Sequence, residues 1–222
     1  MGKPTITVID ETIREGMQYQ GLMFSDEQRA VILDFQQALG VDVCQAGYPA
    51  AHELEARAVA ALAGRAYQKD YSIRICALGR AMAQDADRML ATGARELHLH
   101  VHVRSAHQLA PALARVAPVF DRVRKNAPGT QLGLVMLDMG KSTPQALGTA
   151  LAFCESSAIP FLSLPDTSGM MAPNRIWKDI KSLKNLAAST ALSIHCHNDM
   201  GMAAANAVMG ILGGGTVLEA SA

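Results

Sequence analysis

Aromatic residues make up only 5% of this 222-residue chain, although half of its residues are hydrophobic. A core so short of rings is filled by small aliphatic side chains, as in a barrel lined by Val, Ile and Leu and wrapped by Ala-rich helices. Neither sign of charge dominates. Lys and Arg number 20, Asp and Glu 20, and the formal net charge is zero. No basic run is present, so nucleic acid and anionic membrane surfaces are not expected partners. The four cysteines, Cys44, Cys76, Cys154 and Cys196, form no CxxC pair; they read as reduced thiols and the protein as cytoplasmic. The N-terminus enters a strand pattern without the apolar segment of a signal peptide, and no apolar run is long enough to span a bilayer. The length suits one sizeable core, so residues 1–222 are expected to form a single domain.

What is present is a regular alternation of apolar strands and amphipathic helices. The expected strands are Thr5–Thr12, Val41–Ala46, Ser72–Leu78, Glu96–Val103, Gln131–Asp138, Ile159–Leu164, a seventh beginning at Ala191, and Thr216–Ala220. Between them lie helices with legible ends. Ser25-x-x-Gln28 is a capping box, Gly93 is a stop signal, and Thr143-Pro144 and Pro173 open helices. Regular βα alternation implies a parallel sheet with right-handed crossovers. Eight strands favour a TIM (β/α)8-type barrel over an open sheet. The last strand runs almost to Ala222, so the barrel is expected to lack its final helix. The apolar surface thereby exposed would suit a second copy or a partner chain covering strand eight.

Polar residues gather where strands end, which in such a barrel is the active face. Most informative is His195-Cys196-His197-Asn198-Asp199. Alternate strand residues face one side, so His195 and His197 project together. Arg14-Glu15-Gly16 closes the first strand-like segment. A carboxylate with two imidazoles is a divalent-metal donor set that leaves positions open for substrate. Asn198 and Asp199 either orient the imidazoles or cap the next helix. In the fourth strand His98, His100 and His102 alternate with Leu97, Leu99 and Val101. The three histidines should line the barrel interior. His98 and His100 read as hydrogen-bonded filling, and His102, nearest the active end, as a contact or proton carrier. Arg104 and Ser105 are weaker candidates.

Residues 10–18, Asp-x-Thr-x-Arg-Glu-Gly-x-Gln, and the later His-x-His-Asn-Asp-x-Gly-x-Ala-x-Ala-Asn resemble the HMGL-like, metal-dependent Claisen-condensing barrels. These include 2-isopropylmalate, homocitrate and citramalate synthases, and are related to 3-hydroxy-3-methylglutaryl-CoA lyase and to aldolases. Pro165-Asp166-Thr167-Ser168-Gly169 resembles their sixth-strand motif. The resemblance implies that Glu15, His195 and His197 bind one divalent cation (Mg, Mn, Zn or Co). It implies that Arg14 stabilises oxyanion charge and that Thr167, with Gln18, holds a substrate carboxylate. His102 and Asp138 are the remaining catalytic candidates. The implied reaction joins acetyl-CoA, or another acyl-CoA, to a 2-oxo acid. Carbon–carbon cleavage on the same site, and a non-catalytic subunit of a split synthase, are the alternatives. Gln45 and Asp138 stand where these families usually carry glutamate.

Overall fold

The computed structural model describes residues 5–102 and 106–221. Val103, expected to end the fourth strand, and the candidates Arg104 and Ser105 lie outside the described residues. Eight strands follow one another, β1 to β8, in a closed barrel with helices between them. The TIM-type α/β architecture read from the alternation is therefore present. Contacts gather in two compact units, one built mainly from Thr7–Leu99 with Val119–Gln131, the other mainly from Leu132–Glu219 with His100–Pro118.

The first unit carries β1 (Thr7–Asp10), α1 (Thr12–Gly16), α2 (Asp26–Ala38), β2 (Val43–Gly47), α3 (Glu53–Gln68), β3 (Arg74–Arg80) and α4 (Ala83–Leu90). It also holds most of β4 (Glu96–Val101). β1 pairs in parallel with β2, Ile9 opposite Val43, and β2 with β3. The capping box forms as expected: Ser25 Oγ accepts from the Gln28 N–H, and Gln28 Oε1 from the Ser25 N–H. Ile9, Ile13, Leu33, Leu97 and Leu99 are sealed in the core.

The second unit carries β5 (Gln131–Met136), α6 (Pro144–Ser156), β6 (Phe161–Asp166), α7 (Pro173–Lys184), β7 (Ala191–Cys196), α8 (Ala203–Gly213) and β8 (Val217–Ala220) up to Glu219. The remaining helix, α5, spans Ala106–Asn126. β5 to β8 pair in parallel, with Leu162 opposite Leu192 and His195 opposite Glu219. α8 lies close over β7 because Gly210 faces the sheet. A Cβ there would come within 2.8 Å of three Ile194 carbons. Thr143 caps α6 by accepting from the Ala146 N–H, as its position before Pro144 predicts.

Two of the segments that differ from expectation carry site residues. The first strand stops at Asp10, two residues short of Thr12. The Asp10 carboxylate accepts from the Thr12 N–H at 2.9 Å and the Glu15 N–H returns to the Glu11 carbonyl at 2.8 Å. A side-chain turn thus outcompetes the strand ladder, and Arg14 and Glu15 ride on a one-turn helix. The fifth strand likewise ends at Met136. Asp138 takes a left-handed conformation (φ 61°, ψ 48°) and starts a 3₁₀ turn over Met139–Lys141. No helix among the described residues is long and apolar enough to cross a membrane.

Candidate metal centre

The site is assembled from strand ends. On β7 the two-residue period puts Ser193 and His195 on one face, while Leu192 and Ile194 are buried on the other. His197 follows one residue beyond the strand, and the two imidazole centroids lie 5.1 Å apart. Between them Cys196 turns away. Burial, reinforced by the negative charges of Asp166 and Glu219, pushes its thiol up to about 12, so it stays protonated at neutral pH. Asn198 Oδ1 accepts from the Ala203 N–H at 3.1 Å, so of the two roles open to it the structure shows the capping one. The register of β7 on β8 sets Glu219 opposite His195. Its Oε2 lies 3.2 Å from His195 Nδ1, and its Oε1 accepts from Ser193 Oγ at 2.5 Å.

On the first unit, α1 carries Arg14 and Glu15. The Arg14 guanidinium is buried between two carboxylates, 2.7 Å from Glu11 Oε2 and 2.7 Å from Glu15 Oε1. The Glu11 side chain is only 2% exposed, that of Glu15 26%. Each unit thus presents part of the set picked out from the sequence, Glu15 on α1 and the imidazole pair at the end of β7. A carboxylate oxygen and two imidazole nitrogens are donor types that suit a divalent cation.

A second polar cluster lies at the end of β5. Asp138 Oδ2 is 3.4 Å from His102 Nε2, and Asp138 Oδ1 accepts from Lys141 Nζ and Ser168 Oγ. Burial pushes the pKa of this carboxyl up, but the Ser168 hydroxyl, the Lys141 ammonium and His102 together hold it below the usual carboxylate value. Thr167 Oγ1 accepts from the Asp138 N–H at 3.2 Å. Sequence reasoning treated Thr167 and Asp138 as separate candidates; the structure brings them together. Gln18 is exposed, one turn past α1, its N–H bonded to the Glu15 carbonyl.

His98 is fully buried and hydrogen-bonded, as its reading as filling requires. Its Nε2 meets Glu96 Oε1 at 2.9 Å and its Nδ1 meets Gln45 Nε2 at 3.0 Å. Glu96 also accepts from Arg74. Burial works against ionisation of Glu96, but His98 and Arg74 outweigh it and keep the carboxyl below its ordinary value. Gln45, an unexplained departure in the sequence, thus has a partner. Sequence reasoning missed Glu11, Asn206 (which donates to the Met171 carbonyl at 2.9 Å) and Glu219, all of them buried. Asn206 and Glu11 lie inside the quoted motifs. Glu219 was signalled only by standing two residues after Val217 on an inward-facing position of β8.

Residues 5–222 match the model of the HMGL-like family. The 2-isopropylmalate synthase of Sulfurisphaera tokodaii is 28% identical over 214 residues, 94% of this chain and 55% of that protein. The homocitrate synthase of Pyrococcus horikoshii is 27% identical over 221 residues, 96% of this chain and 59% of that one. The chain therefore spans little more than half the length of these relatives. In fold it is similar to the HMG-CoA lyase of Brucella melitensis, with a TM-score of 0.79, 18% identity, and coverage of 99% of this chain and 81% of that one. The lyase of Acinetobacter baumannii, solved with coenzyme A and 3-methylmalate, gives a TM-score of 0.78 at 18% identity over 100% of this chain and 76% of that one. Motifs, barrel and family match agree, and the chain belongs to the HMGL-like family.

Proposed function

We propose that this chain holds one divalent cation on Glu15, His195 and His197 and condenses an acyl-CoA, acetyl-CoA first among them, with a 2-oxo acid. The observation that carries the reading is the pair of imidazoles 5.1 Å apart at the end of β7, which, like the Arg14–Glu15 pair on α1, falls in a motif that resembles those of the synthases. When bound, the cation supplies Lewis-acid polarisation of the keto group. The rest of the work falls to the chain. Arg14, held by Glu11 and Glu15, brings permanent positive charge to an oxygen that becomes negative in the transition state. Asp138 stays ionised at neutral pH and accepts from His102 Nε2–H, which leaves Nδ1 free to take a proton from the carbon next to the thioester carbonyl. Thr167 and Gln18 receive the substrate carboxylate.

Sequence identity supports synthesis over cleavage, because the relatives at 27–28% identity are synthases. Thiol release from acetyl-CoA, followed across a panel of 2-oxo acids with Mg²⁺, Mn²⁺, Zn²⁺ or Co²⁺, tests it. Metal-dependent release with at least one acid is expected. Silence there, with pyruvate released from a 4-hydroxy-2-oxo acid, assigns carbon–carbon cleavage instead. Metal binding without turnover assigns a non-catalytic subunit.

A further inference from the structure

We propose that Glu219, on β8, is a positioning residue that fixes the tautomer and orientation of His195, so that Nε2 is presented to the cation. This rests on the cation reading above. Three observations on β7 and β8 carry it. The register sets Glu219 directly opposite His195, on the same face of adjacent strands. Its carboxylate is anchored at both oxygens, Oε1 by the Ser193 hydroxyl at 2.5 Å and Oε2 against His195 Nδ1 at 3.2 Å. Its side chain is 2% exposed and that of Ser193 is fully buried, so water does not compete for either contact.

An ionised carboxylate only accepts hydrogen bonds, and a neutral imidazole carries one N–H. Oε2 therefore places that proton on Nδ1, and the lone pair that can bind a metal is left on Nε2. The same bond prevents rotation of the ring and raises the basicity of Nε2, which is how a carboxylate behind a ligating histidine strengthens a metal site. Ser193 completes the device: it satisfies the second carboxylate oxygen and stops Glu219 from swinging toward the cation itself. The competing arrangement is one in which Glu219 itself ligates the cation.

The test uses the full chain and its Glu219→Ala, Glu219→Gln and His195→Ala variants. Long-range ¹H–¹⁵N correlation on the metal-free protein reads the His195 tautomer. Titration with Co²⁺ alone reads affinity and the d–d absorption band. The native protein should show the Nδ1–H form. Glu219→Ala should mix the tautomers and weaken Co²⁺ binding about 10–100-fold, with the band unmoved because the ligands are unchanged. Glu219→Gln keeps a carbonyl acceptor but no charge, so it should hold the tautomer and lose less affinity; it also serves if the alanine variant does not fold. Three results overturn the proposal: a native Nε2–H tautomer; unchanged tautomer and affinity in a folded Glu219→Ala protein; or a shifted band with a loss equal to that of His195→Ala, which makes Glu219 a ligand. If the native chain takes up no Co²⁺, the cation reading fails, and the metal-free tautomer still decides whether Glu219 orients the ring.

Discussion

Replacing Arg14 with methionine isolates the part of the site that is also structural. The guanidinium makes two contacts at 2.7 Å, one to Glu11 and one to Glu15. The two are not equivalent. Glu15 is 26% exposed and can recover hydration, so its share is small, about 0–1 kcal/mol. Glu11 is 2% exposed and is left as a carboxylate stripped of that counter-charge, which costs about 3–5 kcal/mol. The methionine retains most of the volume, so the loss is electrostatic rather than a cavity. For a domain with total stability of about 5–15 kcal/mol this is a large fraction. With a urea slope of about 2 kcal/mol/M, the unfolding midpoint should fall by about 1.5–3 M. The double variant Arg14→Met/Glu11→Gln removes the stranded charge with its partner and should recover about 2 kcal/mol of the loss. A midpoint shift below about 0.5 M, or a double variant no more stable than Arg14→Met, would refute the claim that Arg14 neutralises a buried carboxylate.

Other expectations follow from the same geometry. His98→Leu deprives Glu96 and Gln45 of their shared partner and should destabilise by about 2–4 kcal/mol in urea, with metal content by elemental analysis unchanged. Gly210→Ala gains about 1 kcal/mol in helix propensity, but its Cβ meets Ile194, at an overpacking cost of about 1–3 kcal/mol. Thermal melts should therefore show a net loss that Ile194→Val relieves. The Glu155 carboxylate accepts the N–H groups of Thr190 and Ser189 and the Ser189 hydroxyl, and is drawn from 4.5 to about 2. Its folded value is depressed, so the stability it adds is complete above pH 4.5 and is lost as pH falls toward 2. Glu155→Gln should flatten that stretch of the urea-midpoint against pH curve. Asp138→Asn should lower turnover without loss of metal, since it lies in the His102 cluster and not among the ligands.

Much of this architecture could be read before any coordinates. Strand–helix alternation gave the barrel, and Ser25 with Gln28 and Thr143 with Pro144 marked helix starts that the structure reproduces. These signals are local, repeated over whole elements and carried by backbone N–H groups a few residues away. The motif histidines were legible because a period of two forces them onto one face. What escaped is short or long-range. α1 is five residues, too brief for a helical period to show, and is started by Asp10 rather than by an apolar pattern. The left-handed turn at Asp138 is held by contacts to Thr167 and Ser168, about thirty positions on. Glu219 sits on an inward-facing position of β8, but only the β7–β8 register shows that its partners are Ser193 and His195. Gln45 made no sense alone because its partner, His98, is on another strand.

Crystals of the full chain grown with Mn²⁺ or Zn²⁺, measured above and below the metal's absorption edge, decide whether Glu15, His195 and His197 share one divalent cation. A single anomalous peak is expected about 2.0–2.3 Å from a Glu15 oxygen and one nitrogen each of His195 and His197. A peak seated on Glu11 and Glu219 instead, or no peak under saturating metal, would contradict it.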